Sequence, residues 1–427
     1  MKKVLVISYY WPPAGGPGVQ RWLKFVSYFR DFGIEPILYA PQNPHYPIVD
    51  ETLESEVPEG LEIIRKPIKE PYKYAQLFFR KKTNTISSGI IDEKDPSFLE
   101  KLMLYARGNL FIPDARVGWV KPSVSFLTYY LKHHPEIKTV ITTGPPHSLH
   151  LIGMRLKKVL NIRWIADFRD PWTHIHYHKS LRLSKKAQLK HERLEQKVLQ
   201  RADSVVVTSP STQADFQKIT EKPVVLITNG FDQSKAKTSN LDEAFSLVHV
   251  GSFLSNRNPV FLWKVLSELT AENVQFKQDL EIKLVGLVSK EVKQSLETFG
   301  LLAHATFPGY VSHIEAELFQ YQAQLLLLVE MNRPETKAIL PGKLFEYLRS
   351  RRPILAIGPQ GSDMESILKK TQAGHFYEYG NSQAVKDLLL QYYHQYQQTG
   401  IATVSGEIEA YSRKAVTQQM AELIKSL

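Results

Sequence analysis

The sequence contains no cysteine, which excludes disulfides, a thiolate metal site and a cysteine nucleophile. Its aspartates never fall as Asp-x-Asp, a pairing that can hold a divalent cation, so metal-independent chemistry is expected. No run of about 18 apolar residues occurs, and nothing in the chain is expected to span a bilayer. MetLysLys before ValLeuValIleSer resembles a leader, but the apolar run stops at once in YYWPP and lacks a small-residue cleavage site. It reads as a first strand. No GKS or GKT follows the early glycines, so they do not form a Walker loop. What remains is a chain of 427 residues, 43% hydrophobic, of a size that most simply makes two globular domains. Its formal net charge of +11 calls for an anionic partner: the phosphates of a small ligand, an anionic membrane surface or nucleic acid. Nucleic acid is not expected, because the basic residues are spread along the chain and no binding module is recognised.

The most informative stretch is LPGKLFEYLRSRRPILAIGP, Leu340 to Pro359. Pro341 and Gly342 suit a first helical turn, where a missing N–H does no harm and backbone can approach a ligand. Lys343 and Glu346 follow on one face, while Leu344 and Leu348 form an apolar stripe that can pack on a sheet. Pro353 to Gly358 is a short apolar run of the kind that a strand buried on both faces requires. A helix N-terminus carrying a lysine can hold a phosphate, and a carboxylate one turn on can accept from two sugar hydroxyls. A solvated Lys343–Glu346 pair is the alternative.

In the first half, a strand from Lys3 to Ser8 enters YYWPPAGGPGVQ and then a helix from about Val19 to Phe32, closed by Gly33. Gly15, Gly16 and Gly18 allow backbone N–H groups to approach a ligand, or simply make a tight turn. Tyr72 to Lys82 combines aromatic and basic residues, as an interfacial segment or a plain amphipathic helix would. Thr139 to Gly144 is the next strand, followed by His147 at the head of a helix from about Ser148 to Leu160. His147 is expected either to open towards a ligand or to serve as a polar loop residue. The strand within Ile162 to Trp172 ends in a cluster of Asp167, Arg169, Asp170 and Trp172, and carboxyl ends of strands line the ligand crevice in open α/β sheets. Pairing of Arg169 with its neighbours is the alternative there. His174, His176 and His178 share a face if extended and admit a metal reading, though they sit beside a basic stretch, Lys179 to Lys197, expected to be mobile with solvated histidines. The second half alternates strand and helix, which specifies a parallel sheet with covering helices. There Gly251 ends a strand, Arg257 stands before a helix from about Pro259 to Leu269, and a polar linker, Gln233 to Glu243, precedes them.

PGKLFEYL followed by RPILAIGP resembles the donor-binding segment of retaining glycosyltransferases of family 4, and ADFRDPW, Ala166 to Trp172, resembles a stretch found in one branch of that family. The resemblance implies an α/β fold of GT-B architecture, two facing Rossmann-like domains with parallel sheets. Residues 1–228 would form an acceptor-side domain, 229–405 a nucleotide-sugar-binding domain, and 406–427 a helix returning to the first. It implies sugar transfer from a nucleoside-diphosphate-sugar to a hydroxyl of a glycan or lipid-linked acceptor, with retained configuration and no cofactor, in the cytoplasm or against the inner face of the membrane. On the family pattern Glu346 holds the ribose, Gly15, Gly16, Gly251, Pro341 and Gly342 adjoin the donor, and Tyr310 lies by the nucleobase. Arg257 and Lys343 would stabilise the leaving diphosphate. His147 would contact the donor sugar or, like Asp170, orient the acceptor, which Asp167, Arg169 and Trp172 would bind. One departure is plain: the family's second glutamate, eight residues before Glu346, is Ala338 here, leaving Glu335 or backbone near Leu340 to meet the sugar. A nucleotide-sugar 2-epimerase of the same architecture would need a carboxylate base that does not declare itself; a non-catalytic nucleotide-sugar binder would fit Ala338.

Overall fold

The computed structural model describes all residues except 71–97, 174, 176–180, 234–239 and 405. The aromatic and basic segment 72–82 and the three histidines His174, His176 and His178 therefore lie outside the described residues, as does most of the 233–243 linker. The chain forms two compact units: unit 1 is Met1–Asn229 with Arg413–Leu427, and unit 2 is Gly230–Ser412.

Unit 1 is built on seven strands: β1 (Lys2–Ile7), β2 (Ile34–Pro41), β3 (Glu62–Lys66), β4 (Thr139–Gly144), β5 (Arg163–Phe168), β6 (Ser204–Val207) and β7 (Val224–Leu226). They lie in the order β3-β2-β1-β4-β5-β6-β7, with every pairing parallel. Within β1, Leu5 and Ile7 join one apolar cluster while Val4 and Val6 join another. Helices cover both faces, which is why the strand reads as an unbroken apolar run. The helices are α1 (Pro17–Phe29), α2 (Phe98–Asn109), α3 (Val120–His133), α4 (Ser148–Val159), α5 (Lys185–Arg201) and α6 (Pro210–Gln217). The basic stretch expected to be mobile is, from Lys185 onward, the helix α5. Ser184 caps it by accepting from the Ala187 N–H, and Ala187, His191, Glu195, Val198 and Leu199 are buried along one side. That spacing of three and four is a helical stripe, which the density of lysine and arginine concealed.

Unit 2 repeats the plan with β8 (Phe245–Val250), β9 (Leu280–Val285), β10 (Ala305–Gly309), β11 (Leu325–Val329), β12 (Ile354–Gly358) and β13 (Gly374–Glu378). Their order is β10-β9-β8-β11-β12-β13, again all parallel. Its helices are α7 (Val260–Glu272), α8 (Val274–Asp279), α9 (Lys290–Thr298), α10 (His313–Gln322), α11 (Gly342–Ser350), α12 (Asp363–Thr371) and α13 (Ser382–Thr399). In each sheet the strand order reverses once, between β1 and β4 and between β8 and β11, and the crevice outside the carboxyl ends at such a point is where open α/β sheets bind ligands.

The last helix, α14 (Arg413–Ser426), belongs to unit 1. Its Val416, Met420, Ala421 and Ile424 are buried in one cluster with Val19, Trp22, Leu23 and Val26 of α1. The returning segment starts later than its expected beginning at 406. Residues up to Ser412 stay with unit 2, where the Phe231 N–H donates to the Tyr411 carbonyl at 3.0 Å and the Tyr411 ring stands 5.8 Å from that of Phe345.

Candidate functional site

At the switch point of unit 2, β8 and β9 run into Gly251 (φ 110°) and Gly286 (φ 112°), and β10 ends on Gly309 (φ 77°). The Gly251 N–H donates to the Val285 carbonyl, and the Gly286 N–H to the Gly309 carbonyl. Positive φ alone favours glycine here, and close approach reinforces it. A Cβ on Gly251 would collide with Cε and Nζ of Lys343. Gly251, expected beside the donor, is thus the seat of the Lys343 stem.

Lys343 reaches that seat because of how α11 is anchored. Leu344, Phe345, Tyr347 and Leu348 are buried, and the Tyr347 hydroxyl accepts the Val250 N–H at 2.8 Å, pinning the helix to the end of β8. Pro341 stands in extended conformation just before the first turn, and nothing crowds the Cβ position of Gly342. The Lys343 ammonium lies 3.2 Å from His249 Nε2 and donates to the Ser252 carbonyl at 3.2 Å. Burial, then the nearby Arg257 charge, push its pKa down to about 8 against the opposing pull of Glu346 and Glu330.

His249 is 1% exposed, with Nδ1 2.9 Å from the Leu327 carbonyl. A carbonyl only accepts, so Nδ1 carries the proton and Nε2 turns its lone pair to Lys343. Burial and the Lys343 charge hold the imidazole well below its usual pKa, so it is neutral.

Arg257 lies in a short turn, Ser255–Arg257, and is paired with Glu330 just beyond β11: Nε to Oε1 3.3 Å, Nη2 to Oε1 3.2 Å and Nη2 to Oε2 3.4 Å. The Glu330 carboxylate is buried and also accepts the Met331 N–H. Arg257, expected with Lys343 to stabilise a leaving diphosphate, shares its guanidinium with a protein carboxylate. Glu346 Oε2 accepts from Gln320 Nε2 at 3.4 Å; Arg349 donates to Gln320 Oε1 at 3.4 Å and pairs with the buried Glu317 at 2.8 Å. Tyr310 is 98% exposed, and Glu335 sits in the turn Pro334–Thr336. Lys343, Glu346, Arg257 and Gly251 are thus brought to one end of the sheet. Sequence reasoning missed His249 and Glu330, although each is a polar residue at the carboxyl end of an apolar strand.

Unit 1 departs further from expectation. Asp167, expected to bind an acceptor, is fully buried. Its carboxylate accepts from Arg21 Nη2 at 3.0 Å, Trp22 Nε1 at 2.7 Å and Thr143 Oγ1 at 2.9 Å. It joins α1 to the sheet and has no exposed face. Trp172 is 2% exposed, with Nε1 donating to His191 Nδ1 at 3.0 Å. His147 is buried too, its ring stacked on Trp172 at 5.1 Å and 2°. The two belong to one aromatic layer and do not open outward.

Arg169 is half-buried and turns to the loop after β4, donating to the Gly144 and Pro145 carbonyls. Burial lowers its pKa while Asp170 beside it pulls the other way. A Cβ on Gly18 would collide with Arg169 Nη1, so that glycine makes room for the guanidinium. The Gly15 N–H, expected to approach a ligand, instead donates to the Ile48 carbonyl at 3.0 Å. Gly16 caps α1 at φ 94°.

No family model matches the sequence, and no curated protein matches it. Solved structures do. HepE of Anabaena in complex with UDP superposes with a TM-score of 0.63 at 16% identity, covering 100% of both chains. A glycosyltransferase from Rickettsia africae gives 0.62 at 13% identity over 100% of this chain and 99% of that one. WaaG, a glycosyltransferase involved in lipopolysaccharide biosynthesis, gives 0.53 at 13% identity over 99% of this chain and 100% of that one. Identities this low establish the fold alone, and the fold is that of GT-B glycosyltransferases: α/β, with two Rossmann-like units built on parallel sheets.

Proposed function

We propose that this protein is a glycosyltransferase that moves a sugar from a nucleoside-diphosphate-sugar to a hydroxyl of a glycan or lipid-linked acceptor, with retained anomeric configuration and without a metal. The observation that carries the reading is the seat of Lys343. A cation on the first turn of α11 lies across the end of β8 at the switch point of unit 2, with Glu346 one turn on. A helix N-terminus and a lysine together suit a diphosphate, and a following carboxylate suits a ribose diol. Similarity of fold to HepE, solved with UDP, supports the choice of donor class, and similarity to WaaG supports a glycan precursor as acceptor.

In the reaction, the bond between the anomeric carbon and the diphosphate oxygen breaks with its electron pair going to the diphosphate. The acceptor oxygen forms the new bond, and its proton passes to the departing phosphate. Negative charge grows on the diphosphate, so preorganised positive groups stabilise the transition state more than the bound donor. Lys343 and the open first turn of α11 supply that field, and Arg257 adds to it. Incubating the protein with a panel of nucleotide sugars, first without and then with acceptor and with a chelator present throughout, tests the reading. Slow donor hydrolysis alone and transfer with acceptor are expected. Isomerisation of the donor would make the protein an epimerase, and binding without turnover would make it a binder.

A further inference from the structure

We propose that His249 is a positioning residue for Lys343: its imidazole, held in one tautomer by the Leu327 carbonyl, presents Nε2 as the acceptor that fixes the ammonium over Gly251, facing an anionic ligand. The identity of that ligand rests on the nucleotide-sugar reading; the His249–Lys343 contact itself belongs to unit 2 alone.

His249 stands on β8 on the same side as Leu247, which is buried in the apolar layer there, and its ring lies 4.5 Å from that of Phe253. An aliphatic side chain would fill this place without the cost of burying two ring nitrogens. An imidazole is tolerated because both nitrogens are engaged, Nδ1 with the Leu327 carbonyl and Nε2 with Lys343. The lone pair falls where a cation crosses the strand.

The choice of a neutral acceptor is the functional point. An aspartate or glutamate in this position would orient the lysine equally well but would cancel its charge, leaving little attraction for a diphosphate. The neutral imidazole orients the ammonium and leaves its charge to the ligand. Lysine has three N–H donors. Two go to the Ser252 carbonyl and His249 Nε2, and the third meets no acceptor among the described residues. The other charged groups that act on Lys343 are Arg257 from the turn before α7, Glu330 from the end of β11 and Glu346 from α11 itself. The two glutamates oppose Arg257. With burial already holding the Lys343 pKa at about 8, the acceptor from His249 favours the charged form, and its removal drives the pKa lower.

The test uses the full chain. The pH titration of Lys343 is followed by nitrogen NMR of its side chain, and binding of UDP, GDP and ADP is measured by calorimetry, in wild type, His249→Phe and His249→Gln. His249→Phe is expected to lower the Lys343 midpoint by about one unit and to weaken the nucleotide that binds wild type by about tenfold at neutral pH. His249→Gln, whose amide oxygen can replace Nε2 as acceptor, is expected to restore most of both. A folded His249→Phe protein with unchanged titration and affinity overturns the proposal. If that variant does not fold, the ring nitrogens of His249 are followed in wild type and in Lys343→Met. A proton on Nε2, or an Nε2 signal indifferent to the loss of the ammonium, overturns it as well. If wild type binds none of the three nucleotides, the donor reading fails and the Lys343 titration still decides the role of His249.

Discussion

Glu330 receives Arg257 through both Nε and Nη2, and the burial of the pair is uneven, with the Glu330 side chain 1% exposed and that of Arg257 26%. Removing the arginine leaves a buried carboxylate without its counter-charge, whereas removing the carboxylate leaves a guanidinium that water can reach. Arg257→Ala is therefore expected to cost about 3 kcal/mol of stability, and Glu330→Gln clearly less. Chemical denaturation measures both. Arg257→Ala combined with Glu330→Gln should recover stability without recovering turnover, because the share of positive charge proposed for Arg257 is still missing.

The lowered pKa of Lys343 predicts proton uptake on binding. Above about pH 8 the free lysine is largely neutral, and an incoming diphosphate favours its charged form. Calorimetry of UDP binding in buffers of different ionisation enthalpy should show uptake on the alkaline side and none well below it, and Lys343→Met should abolish the difference. The slope of stability with pH has the same sign as for a paired carboxylate, although here rising pH relieves the cost of a buried charge and does not add a favourable pairing. The folded value lies below the unfolded one, so between the two the unfolded chain holds more protons and stability rises with pH. Lys343→Met should remove that slope.

Glu346 is predicted to contribute through two hydroxyl hydrogen bonds to a charged acceptor. Glu346→Ala should weaken nucleotide binding by about 2 kcal/mol, roughly thirtyfold. Gln320→Leu, which removes the donor that orients Glu346, should have a smaller effect in the same direction. Unchanged affinity in Glu346→Ala would remove the ribose contact from the site.

Asp167 is a test of the opposite kind. With three donors on its carboxylate and Arg21 paired to it inside the unit, Asp167→Asn is expected to cost about 3–5 kcal/mol. The loss should appear in the unfolding transition of unit 1 and leave that of unit 2 in place, which differential scanning calorimetry can separate if the two melt apart.

The contrast between Glu346 and Asp167 shows what the sequence made legible. Strands such as Thr139–Gly144 were readable to the residue because both faces are covered and the apolar run has sharp ends. Lys343 and Glu346 were legible because a short helix fixes which side chains share a face. The roles of Asp167 and Trp172 were not, since each is decided by partners on other elements: Trp22 of α1 lies 145 residues from Asp167, and His191 of α5 lies 19 residues from Trp172. The same holds for His249, whose role depends on a lysine 94 residues away. A cluster of charges at a strand end reads alike whether it faces a ligand or a neighbouring helix, and tertiary contacts alone tell the two apart.

The helix α14 bears on synthesis. Unit 2 is one uninterrupted segment, and its contacts are available as soon as it leaves the ribosome. Unit 1, although translated first, lacks Val416, Met420, Ala421 and Ile424 from its core until the end of α14 has emerged. The order of translation and the order of completion are therefore reversed, and until α14 docks, the part of α1 that meets it is uncovered, an apolar surface of the kind that chaperones bind.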